Sequence, residues 1–404
     1  MNLLYFASTD FYRKPNPSFH LMKSMIEDLL ASNIVIYYVG VAESYAEMHI
    51  PKEFENNKNF HYHLVQRKSV SKSNFVLRYI RGVEYAWKSR KYIKEYIKKS
   101  DIVFLQSSPT IIYNAWIAKR YADHQKIVMN IQDMFPGSSI ASGVMKNVFL
   151  KITFYAIQRL GYKIPDCIVG ISYDMKKKLI EQGVPEKKIR VVYNWFDDKT
   201  VKEVPWESNR FVKKYNLDIN KFYVQYAGTM GYVFDYKMVI DVADKLKEYP
   251  NIVFQMIGEG SQKEEFIKLA KERGLSNIVF LPLEPQEMVS DVYSTCNVCF
   301  IPLKNGVIGN SVPSKAGLLM ACKRPIITSV DLDSEYYKEV NDNNFGYACP
   351  IGDSQAISDR LLELYNNRSL AIQKGLNGYQ YGHSLYSRTS NMTKFIHLFN
   401  ELCD

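Results

Sequence analysis

The 404-residue sequence contains no apolar run that approaches the roughly 20 residues needed to cross a bilayer as a helix. Its first residues also lack the basic start and small-residue cleavage site of a secretory leader, so MNLLYFASTD is predicted to form a first buried strand. The six cysteines are scattered, mostly within apolar segments, which is typical of reduced core thiols in a cytoplasmic protein. With 47% hydrophobic and 23% charged residues, the chain is expected to be globular and to form more than one domain.

Short signatures of several enzyme classes are missing as well. The sequence has no GxSxG element and no phosphate-binding P-loop, which argues against a serine hydrolase and a P-loop nucleotidase. Cys296 and Cys299 form a CxxC pair within TCNVCF, but without a second pair they are predicted to be residues of a buried strand. His61 and His63 are two residues apart on a predicted strand with no acidic partner nearby, so we expect no metal site there.

The net charge of +10 is concentrated in one segment of the chain. Residues 67–99 contain eleven lysines or arginines against two acids, with six aromatic residues interleaved. Apolar residues recur there near helical spacing, which predicts a helix whose core face is made of Ile80, Val83, Trp87, Ile93 and Ile97. A second segment, 145–163, has the same basic and aromatic character.

Basic faces with aromatic rims fit two kinds of partner, an anionic membrane surface or a nucleic acid. No nucleic-acid-binding motif accompanies the charge, so segments 67–99 and 145–163 are predicted to contact an anionic membrane surface, and no nucleic-acid partner is expected. The alternative is that both segments present ordinary solvated helix faces.

Short apolar segments alternate with amphipathic ones, for example IVIYYVG and IVFLQSS in the first half and FYVQYAG and NIVFQMIG in the second. This alternation predicts parallel sheets covered by helices on both faces. A polar stretch at 197–221 separates the halves, so we predict an α/β protein with domains at 1–200 and 201–384. In such sheets, ligands bind beyond the carboxyl ends of the strands.

Three loops at predicted strand ends in the second half carry glycine and small polar residues. GTMG begins at Gly228, GEG begins at Gly258, and GNSVPSK runs from Gly309 to Lys315. Glycine lets the backbone approach a ligand closely, and loop amides and a helix start both suit a phosphate. The alternative at the third loop is an ordinary loop-to-helix transition with Ser314 as the N-cap.

The order of these motifs resembles that of a known family. YAGTMGY, MIGEGSQ and VPSKAGLLMACKRPII, with NIQDMFPGSS in the first half, are similar to the retaining, nucleotide-sugar-dependent glycosyltransferases of family 4, which have the GT-B fold of two facing Rossmann-like domains. The resemblance implies that the second domain binds the nucleotide diphosphate, that the first binds the acceptor, and that a helix at 385–404 packs back on the first domain. It also implies a metal-independent reaction, so the Asp331–Asp333 DxD motif, a metal signature of another transferase fold, is not expected to bind metal.

The resemblance further implies roles for individual residues. Asn310 and Leu318 stand where many members carry two glutamates; Asn310 can still hydrogen-bond to the donor sugar, whereas Leu318 cannot contact ribose in that way. A basic pair common in the family is replaced by Thr229 and Asp235. The residues implied to bind the donor are Gly228, Thr229, Gly231, Gly258, Leu283, Lys304, Ser311, Pro313, Ser314 and Lys315.

In the first domain, Gln132 and Asp133 follow the predicted strand IVMNIQ, and many members have histidine where Gln132 stands. A carboxylate at this place can accept the proton of the acceptor hydroxyl or hold a sugar hydroxyl, so Asp133, Gln132 and Asn310 are the candidate catalytic residues. The alternative for Asp133 is an Asx-type turn with Pro136. Ser18, in the loop after the first strand, falls near a glycine pair of the family.

The expected function is therefore retaining transfer of a sugar from a nucleotide diphosphate sugar, with UDP as the expected nucleotide. The expected acceptor is a lipid-linked or saccharide intermediate of bacterial surface polysaccharide synthesis, and no cofactor is expected. The protein is expected in the cytoplasm, peripheral on the inner face of the cell membrane. Two alternatives stay open: a non-catalytic glycosyltransferase-like binding subunit, suggested by Asn310 and Leu318, and a sugar-nucleotide epimerase, for which Asp133 is the clear acid–base candidate.

Overall fold

The computed structural model describes residues 1–11, 17–44, 48–70, 75–141, 143, 145, 147–310 and 316–404. The chain forms two compact units. The first contains residues 1–140, 145–193 and 391–404, and the second is built mainly of residues 194–390.

The first unit is a seven-stranded parallel sheet with the strand order β3-β2-β1-β4-β5-β6-β7. Its strands are β1 (Asn2–Asp10), β2 (Val35–Ala42), β3 (Phe60–Gln66), β4 (Ile102–Leu105), β5 (Lys126–Ile131), β6 (Cys167–Gly170) and β7 (Ile189–Val191). Its helices are α1 (Pro17–Ala31), α2 (Lys52–Glu55), α3 (Phe75–Ile97), α4 (Ile111–Tyr121), α5 (Gly137–Ala141), α6 (Val148–Gly161) and α7 (Tyr173–Glu181).

The second unit is a six-stranded parallel sheet with the strand order β10-β9-β8-β11-β12-β13. Its strands are β8 (Phe222–Ala227), β9 (Ile252–Ile257), β10 (Ile278–Leu281), β11 (Val298–Pro302), β12 (Ile326–Val330) and β13 (Gly346–Pro350). Its helices are α8 (Arg210–Tyr215), α9 (Tyr236–Lys245), α10 (Lys263–Glu272), α11 (Val289–Ser294), α12 (Ala316–Ala321), α13 (Glu335–Asp342), α14 (Ser354–Asn366) and α15 (Arg368–Leu385); α16 (Arg388–Cys403) follows.

Each sheet reverses its strand order once, between β1 and β4 in the first unit and between β8 and β11 in the second. The central strands are apolar almost throughout because helices cover them on both faces; every residue of β8 and of β11 is buried. Loops that leave the carboxyl ends of two strands at such a reversal diverge to opposite faces, which opens a crevice for a ligand. The reversal between β8 and β11 is therefore the expected ligand-binding edge of the second unit.

The last helix, α16, packs within the first unit. The rings of Phe395 and Phe399 lie edge-on to the ring of Phe104 on β4, with centroids 5.8 and 6.0 Å apart. Asn391 accepts a hydrogen bond from the backbone N–H of Tyr193 at 3.1 Å, so the start of this segment is held beside the end of the first sheet.

The predicted core face of the basic helix is only half right. Ile93 and Ile97 of α3 are fully buried, but Ile80 and Trp87 are 53% and 55% exposed. The buried face instead includes Tyr85, whose hydroxyl donates to the carbonyl of Ala7 on β1 at 2.7 Å. Trp87 and Ile93 are six residues apart, about 240° around a helix, so they cannot share one face.

Two further expectations concerned histidine and cysteine. Cys296 and Cys299 are buried thiols that form no disulfide. Cys299 lies in β11 as predicted, but the prediction is wrong for Cys296, which lies between α11 and β11. The expectation that the histidines lack an acidic partner is wrong for His63, whose Nε2 is 3.4 Å from a carboxylate oxygen of Glu95. Across the ranges that the structure describes, no group of three or more metal-ligating side chains is arranged to hold a metal, and no helix is long and apolar enough to span a membrane.

Candidate functional site

The loops that follow β8 and β11 run side by side at the carboxyl edge of the second sheet. Phe234 and Leu303 form an antiparallel bridge, and the backbone N–H of Lys304 donates to the carbonyl of Val233 at 3.2 Å. The N–H of Asp235 donates to the carbonyl of Pro302 at 3.1 Å. The loop at 228–235 is thus fixed against the loop after β11, at the reversal of the strand order.

Asp235, which stands where the family has a basic residue, has a local structural role. Its carboxylate accepts a hydrogen bond from the backbone N–H of Met238 at 3.2 Å and caps α9. An N-cap of this kind contributes about 1 kcal/mol to helix stability. The side chain of Asp235 therefore serves the start of α9.

The second glycine loop supports the first through very close backbone contacts. Gly258 has a φ of +136°, and a Cβ at this position would lie 2.0 Å from the carbonyl oxygen of Gly228. A Cβ on Gly260 would lie 2.2 Å from the carbonyl oxygen of Met230, whose own N–H donates to the carbonyl of Glu259 at 2.9 Å. The packing of one loop on the other therefore requires glycine at 258 and 260, independently of any contact that Gly258 could make with a donor.

The first glycine loop presents a row of backbone N–H groups without protein partners. Over the described residues, the N–H groups of Thr229, Gly231, Tyr232 and Val233 donate to no protein acceptor. Gly231 also has space beside it, because among the described residues a Cβ there would meet only the Cγ2 of Thr229, at 3.5 Å. Consecutive free amides in a loop form a concave site for an anion.

Lys304 supplies a positive charge at the same place. The side-chain amide of Gln262 donates to the carbonyls of Gly231 and Phe234 at 2.7 and 2.9 Å, and its oxygen accepts from the Nζ of Lys304 at 3.0 Å. This orientation of the amide is the one that satisfies all three neighbours. Lys304 has no carboxylate within ion-pair distance among the described residues, so its ammonium group lies uncompensated beside the loop that carries the free amides.

The turn after β11 contains Asn310 and is bound by Asp331, the first aspartate of the DxD motif. The N–H of Gly306 donates to the carboxylate of Asp331, with N–O distances of 3.2 and 3.4 Å. The side-chain amide of Asn310 donates to the carbonyl of Gly306 at 2.9 Å. Asp331 therefore fixes this turn, while Asn310 closes it and keeps its amide oxygen for any further contact.

Four of the sequence-predicted donor residues, Ser311, Pro313, Ser314 and Lys315, lie outside the described residues. The helix that follows them, α12, begins at Ala316 and is largely buried. Leu318, the residue that replaces a family glutamate, is half-buried on this helix.

The loop after β10 carries Leu283, which is 47% exposed. Its neighbour Glu284 has a side chain only 3% exposed and makes two contacts of 2.8 Å with the Nζ of Lys214 on α8. Burial alone would raise the pKa of Glu284, but hydrogen bonds from Lys214 and Tyr215 outweigh it and lower that pKa. This anchored carboxylate holds the loop so that Leu283 stays at the sheet edge.

In the first unit, the candidate catalytic residues follow β5. The backbone N–H of Gln132 donates to the hydroxyl of Ser107, in the loop after β4, at 3.0 Å. Gln106, also after β4, accepts from the N–H of Ser8 at the end of β1 at 2.8 Å. These bonds tie the loop of Gln132 to the reversal between β1 and β4, and Asp133 is exposed beside it.

The loop of Asp133 is also attached to two helices with exposed apolar residues. The ring of Phe135 lies 5.7 Å from that of Tyr79 on α3 and 5.0 Å from that of Phe154 on α6. Tyr79 and Phe154 are themselves 5.1 Å apart in an edge-to-face arrangement, which is favourable for aromatic rings. The three rings connect α3 and α6 directly to the loop that carries the candidate acceptor residues.

Gln262 was missed by sequence reasoning. Its position one residue before α10 and its polarity are unremarkable in the sequence, and its partners come from the loops after β8 and β11. The available signal was indirect. The loop at 229–235 has no basic residue, so a phosphate-binding site there would need a cation from another loop, and that cation would need a neutral side chain to hold it.

Comparison with known proteins agrees with this architecture. The family model "Glycosyl transferases group 1" matches residues 207–381, and the model "Glycosyltransferase Family 4" matches residues 46–200. The Pseudomonas aeruginosa protein named "Probable glycosyltransferase WbjE" is 24% identical over 273 residues, which cover 66% of this chain and 67% of that protein. The poly(ribitol-phosphate) alpha-N-acetylglucosaminyltransferase of Staphylococcus aureus is 28% identical over 171 residues, which cover 40% of this chain and 32% of that protein.

Among solved structures, Anabaena Alr3699/HepE in complex with UDP and glucose superimposes with a TM-score of 0.74 at 12% identity, covering 99% of this chain and all of that one. At that identity the likeness establishes the fold, with its two Rossmann-like parallel sheets. The two family models together cover both units of the chain. The chain therefore belongs to the glycosyltransferases of the GT-B fold, with a family 4 first domain and a group 1 second domain.

Proposed function

We propose that the protein transfers a sugar, with retention of the anomeric configuration, from a UDP-sugar bound at the second unit. The observation that carries this proposal is the set of free amides of Thr229, Gly231, Tyr232 and Val233 beside the ammonium of Lys304, which has no carboxylate partner among the described residues. A nucleotide diphosphate is the part of the donor that such a site recognises, since it carries the negative charge. Retention is proposed from the family resemblance.

The same groups would stabilise the departing diphosphate. When the bond between the sugar and the diphosphate breaks, negative charge develops on the phosphate oxygens. Preorganised N–H groups and a fixed ammonium stabilise that charge without reorganising, and each charge-assisted hydrogen bond is worth about 1.5–3 kcal/mol. Under this proposal, the amides and Lys304 provide the charge that a metal provides in other transferases.

The acceptor is proposed to be a lipid-linked saccharide reached from the first unit, at the inner face of the cell membrane. Helix α4 packs against both α3 and α6. Gly82 of α3 is so close to Thr110, the residue before α4, that an added Cβ would lie 2.7 Å from the hydroxyl oxygen of Thr110. Gly161 of α6 is similarly close to Ile112 of α4, where an added Cβ would lie 2.5 Å from the Ile112 side chain. The apolar residues exposed on these helices are Val76, Ile80, Trp87, Trp116, Val148, Phe149, Leu150, Ile152 and Leu160.

Basic residues accompany these exposed apolar side chains. Lys88, Lys91 and Lys94 are exposed on α3, and Lys98 is exposed just after its end. Apolar side chains that insert between headgroups, with lysines around them, favour an anionic bilayer surface. Because Phe135 links α3 and α6 to the loop of Asp133, a membrane-bound acceptor would arrive next to the candidate acceptor residues.

The donor proposal is tested by thermal unfolding with UDP, GDP, ADP, CMP and dTDP. A ligand that binds only the native state at 100 times its Kd stabilises it by about 2.7 kcal/mol, and we expect this shift with UDP. A shift with another diphosphate would keep the diphosphate site and overturn the choice of UDP. No shift with any nucleotide would overturn the proposal.

A non-catalytic binding subunit is the second candidate, and Leu318 favours it. An aliphatic residue stands on α12 where the family resemblance implies a carboxylate for the ribose. This candidate predicts nucleotide binding without release of UDP from any UDP-sugar. A radiolabelled donor and a membrane extract as acceptor decide between the two, because transfer of label to lipid excludes the binding subunit.

A further inference from the structure

We propose that Gln262 is a positioning residue for the donor: it holds the ammonium of Lys304 against the loop after β8, where this charge meets the diphosphate. The inference rests on the proposed function, because it concerns the same donor site. Residues 229–235, TMGYVFD, include no lysine or arginine. A cation for the diphosphate must therefore come from another loop and must be held in place there.

Gln262 is well placed to hold that cation because both its backbone and its side chain are bound to the loop after β8. Its N–H donates to the carbonyl of Met230 at 3.0 Å. Its side-chain nitrogen donates to the carbonyls of Gly231 and Phe234, which leaves the side-chain oxygen 3.0 Å from the Nζ of Lys304. The opposite orientation would place its oxygen against two carbonyl oxygens and its nitrogen against an ammonium group, so the orientation is fixed.

The same contact sets the direction of the free amides. The peptide between Gly231 and Tyr232 is planar and trans, so its N–H points opposite to its carbonyl. Since the carbonyl of Gly231 is directed at Gln262, the N–H of Tyr232 is directed away from it. Gln262 therefore fixes the carbonyl of Gly231 on its own side and leaves the N–H of Tyr232 facing away from it.

A neutral side chain suits this role better than an acidic one. Lys263, the next residue, pairs with Glu259 at 2.6 Å, and its charge is compensated. Among the described residues, the ammonium of Lys304 contacts the neutral amide of Gln262 and no carboxylate, so its positive charge is kept for a ligand. A glutamate at 262 would neutralise Lys304, and because a carboxylate has no N–H it could not donate to the carbonyls of Gly231 and Phe234.

Calorimetric titration with UDP, UMP and uridine tests this role. Lys304→Ala removes the cation, so we expect the preference for UDP over UMP to fall about ten- to hundredfold, with uridine binding unchanged. Gln262→Ala should lower the same preference, and so should Gln262→Glu, because a carboxylate neutralises Lys304 and cannot donate to the two carbonyls. Adding Gln262→Ala to Lys304→Ala should cause little further loss, because both changes remove the same interaction.

Lys263→Ala is the matched control, because it removes a paired lysine from the neighbouring position and should leave the UDP-to-UMP ratio unchanged. If the wild-type protein does not bind UDP, the proposed function fails together with this inference. If the protein binds UDP and Lys304→Ala lowers the UDP-to-UMP ratio, the donor site stands. The role of Gln262 is then overturned by either of two results: Gln262→Ala and Gln262→Glu leave the ratio unchanged, or the double variant shows fully additive losses.

Discussion

Gly258 lies so close to Gly228 that a Cβ on Gly258 would overlap the carbonyl oxygen of Gly228, at 2.0 Å. Gly258 also has a φ of +136°, which side chains rarely adopt. These two constraints are independent, and both act on the loop that presents the free amides.

Gly258→Ala should therefore destabilise the protein strongly. The strained φ alone costs on the order of 1–3 kcal/mol, and displacement of the Gly228 peptide adds to it. Thermal unfolding measures the loss. Gly274→Ala is the control, because Gly274 also has a positive φ, +65°, but has nothing within 4 Å of the added Cβ. Equal losses for the two variants would contradict the role of the loop-on-loop contact.

Gly231→Ala, in contrast, should leave stability nearly unchanged and weaken UDP binding. Gly231 is outside the positive-φ region, and its added Cβ meets only the Cγ2 of Thr229, at 3.5 Å, so stability should change by less than about 0.5 kcal/mol. The methyl group would occupy the space beside the free amides and weaken UDP binding by about tenfold or more, the effect of losing one charge-assisted hydrogen bond. Unchanged UDP affinity in a folded Gly231→Ala protein would show that the diphosphate binds elsewhere.

Glu284 should make stability depend on pH in a specific window. The pKa of Glu284 is lowered in the folded protein from the ordinary glutamate value of 4.5. A carboxylate with a lowered folded pKa contributes stability above its ordinary pKa, and the contribution is lost as the pH falls through the lowered value. The melting temperatures of wild-type protein and Glu284→Gln should therefore differ at neutral pH and converge at acidic pH.

Phe149→Ser combined with Ile152→Ser should release the protein from anionic vesicles without unfolding it. These side chains are 81% and 63% exposed on α6, and a fully buried apolar side chain of this size is worth about 1.5–3 kcal/mol, so we expect at least a tenfold weaker association. Co-sedimentation with phosphatidylglycerol vesicles measures it. The control is Ile219→Ser combined with Ile372→Ser, which changes two exposed apolar residues of the second unit, 64% and 63% exposed.

Replacing Lys88, Lys91 and Lys94 with glutamate tests the charge separately. Binding should fall, and the loss should be greatest at low ionic strength, because salt screens surface charges. Vesicle binding that is equal for the wild type and all three sets of variants would show that this face of the first unit does not meet a membrane.

The strands of both sheets could largely be predicted because buried parallel strands are nearly continuous apolar runs. Strands β7 and β13 are absent from the sequence-based prediction. Both are edge strands, only three and five residues long, and no residue pattern distinguishes such segments from loops. The exposure of Ile80 and Trp87 was mispredicted because α3 is apolar on more than one side, and spacing alone does not say which side meets the sheet.

The site could be predicted only where a local pattern carried it. Glycine loops at strand ends indicated the proposed donor edge, and Lys304 was among the residues that the family resemblance implied for it. The role of Gln262 depends on carbonyls and an ammonium group from two other loops, which only the strand order brings together. Similarly, Asp235 caps a helix because of the path of the chain, and nothing in its sequence position distinguishes that role.

At the proposed donor edge, the groups that hold the two glycine loops together are different from the side chains that the loops expose. Backbone atoms of Gly228, Met230, Gly258 and Gly260 hold the loops together, and the exposed side chains of residues 229, 232 and 233 take no part in that contact. Those three side chains are free to vary under selection or by design. If the donor binds at this edge as proposed, single substitutions at these positions would change its contacts and leave the contact between the loops intact.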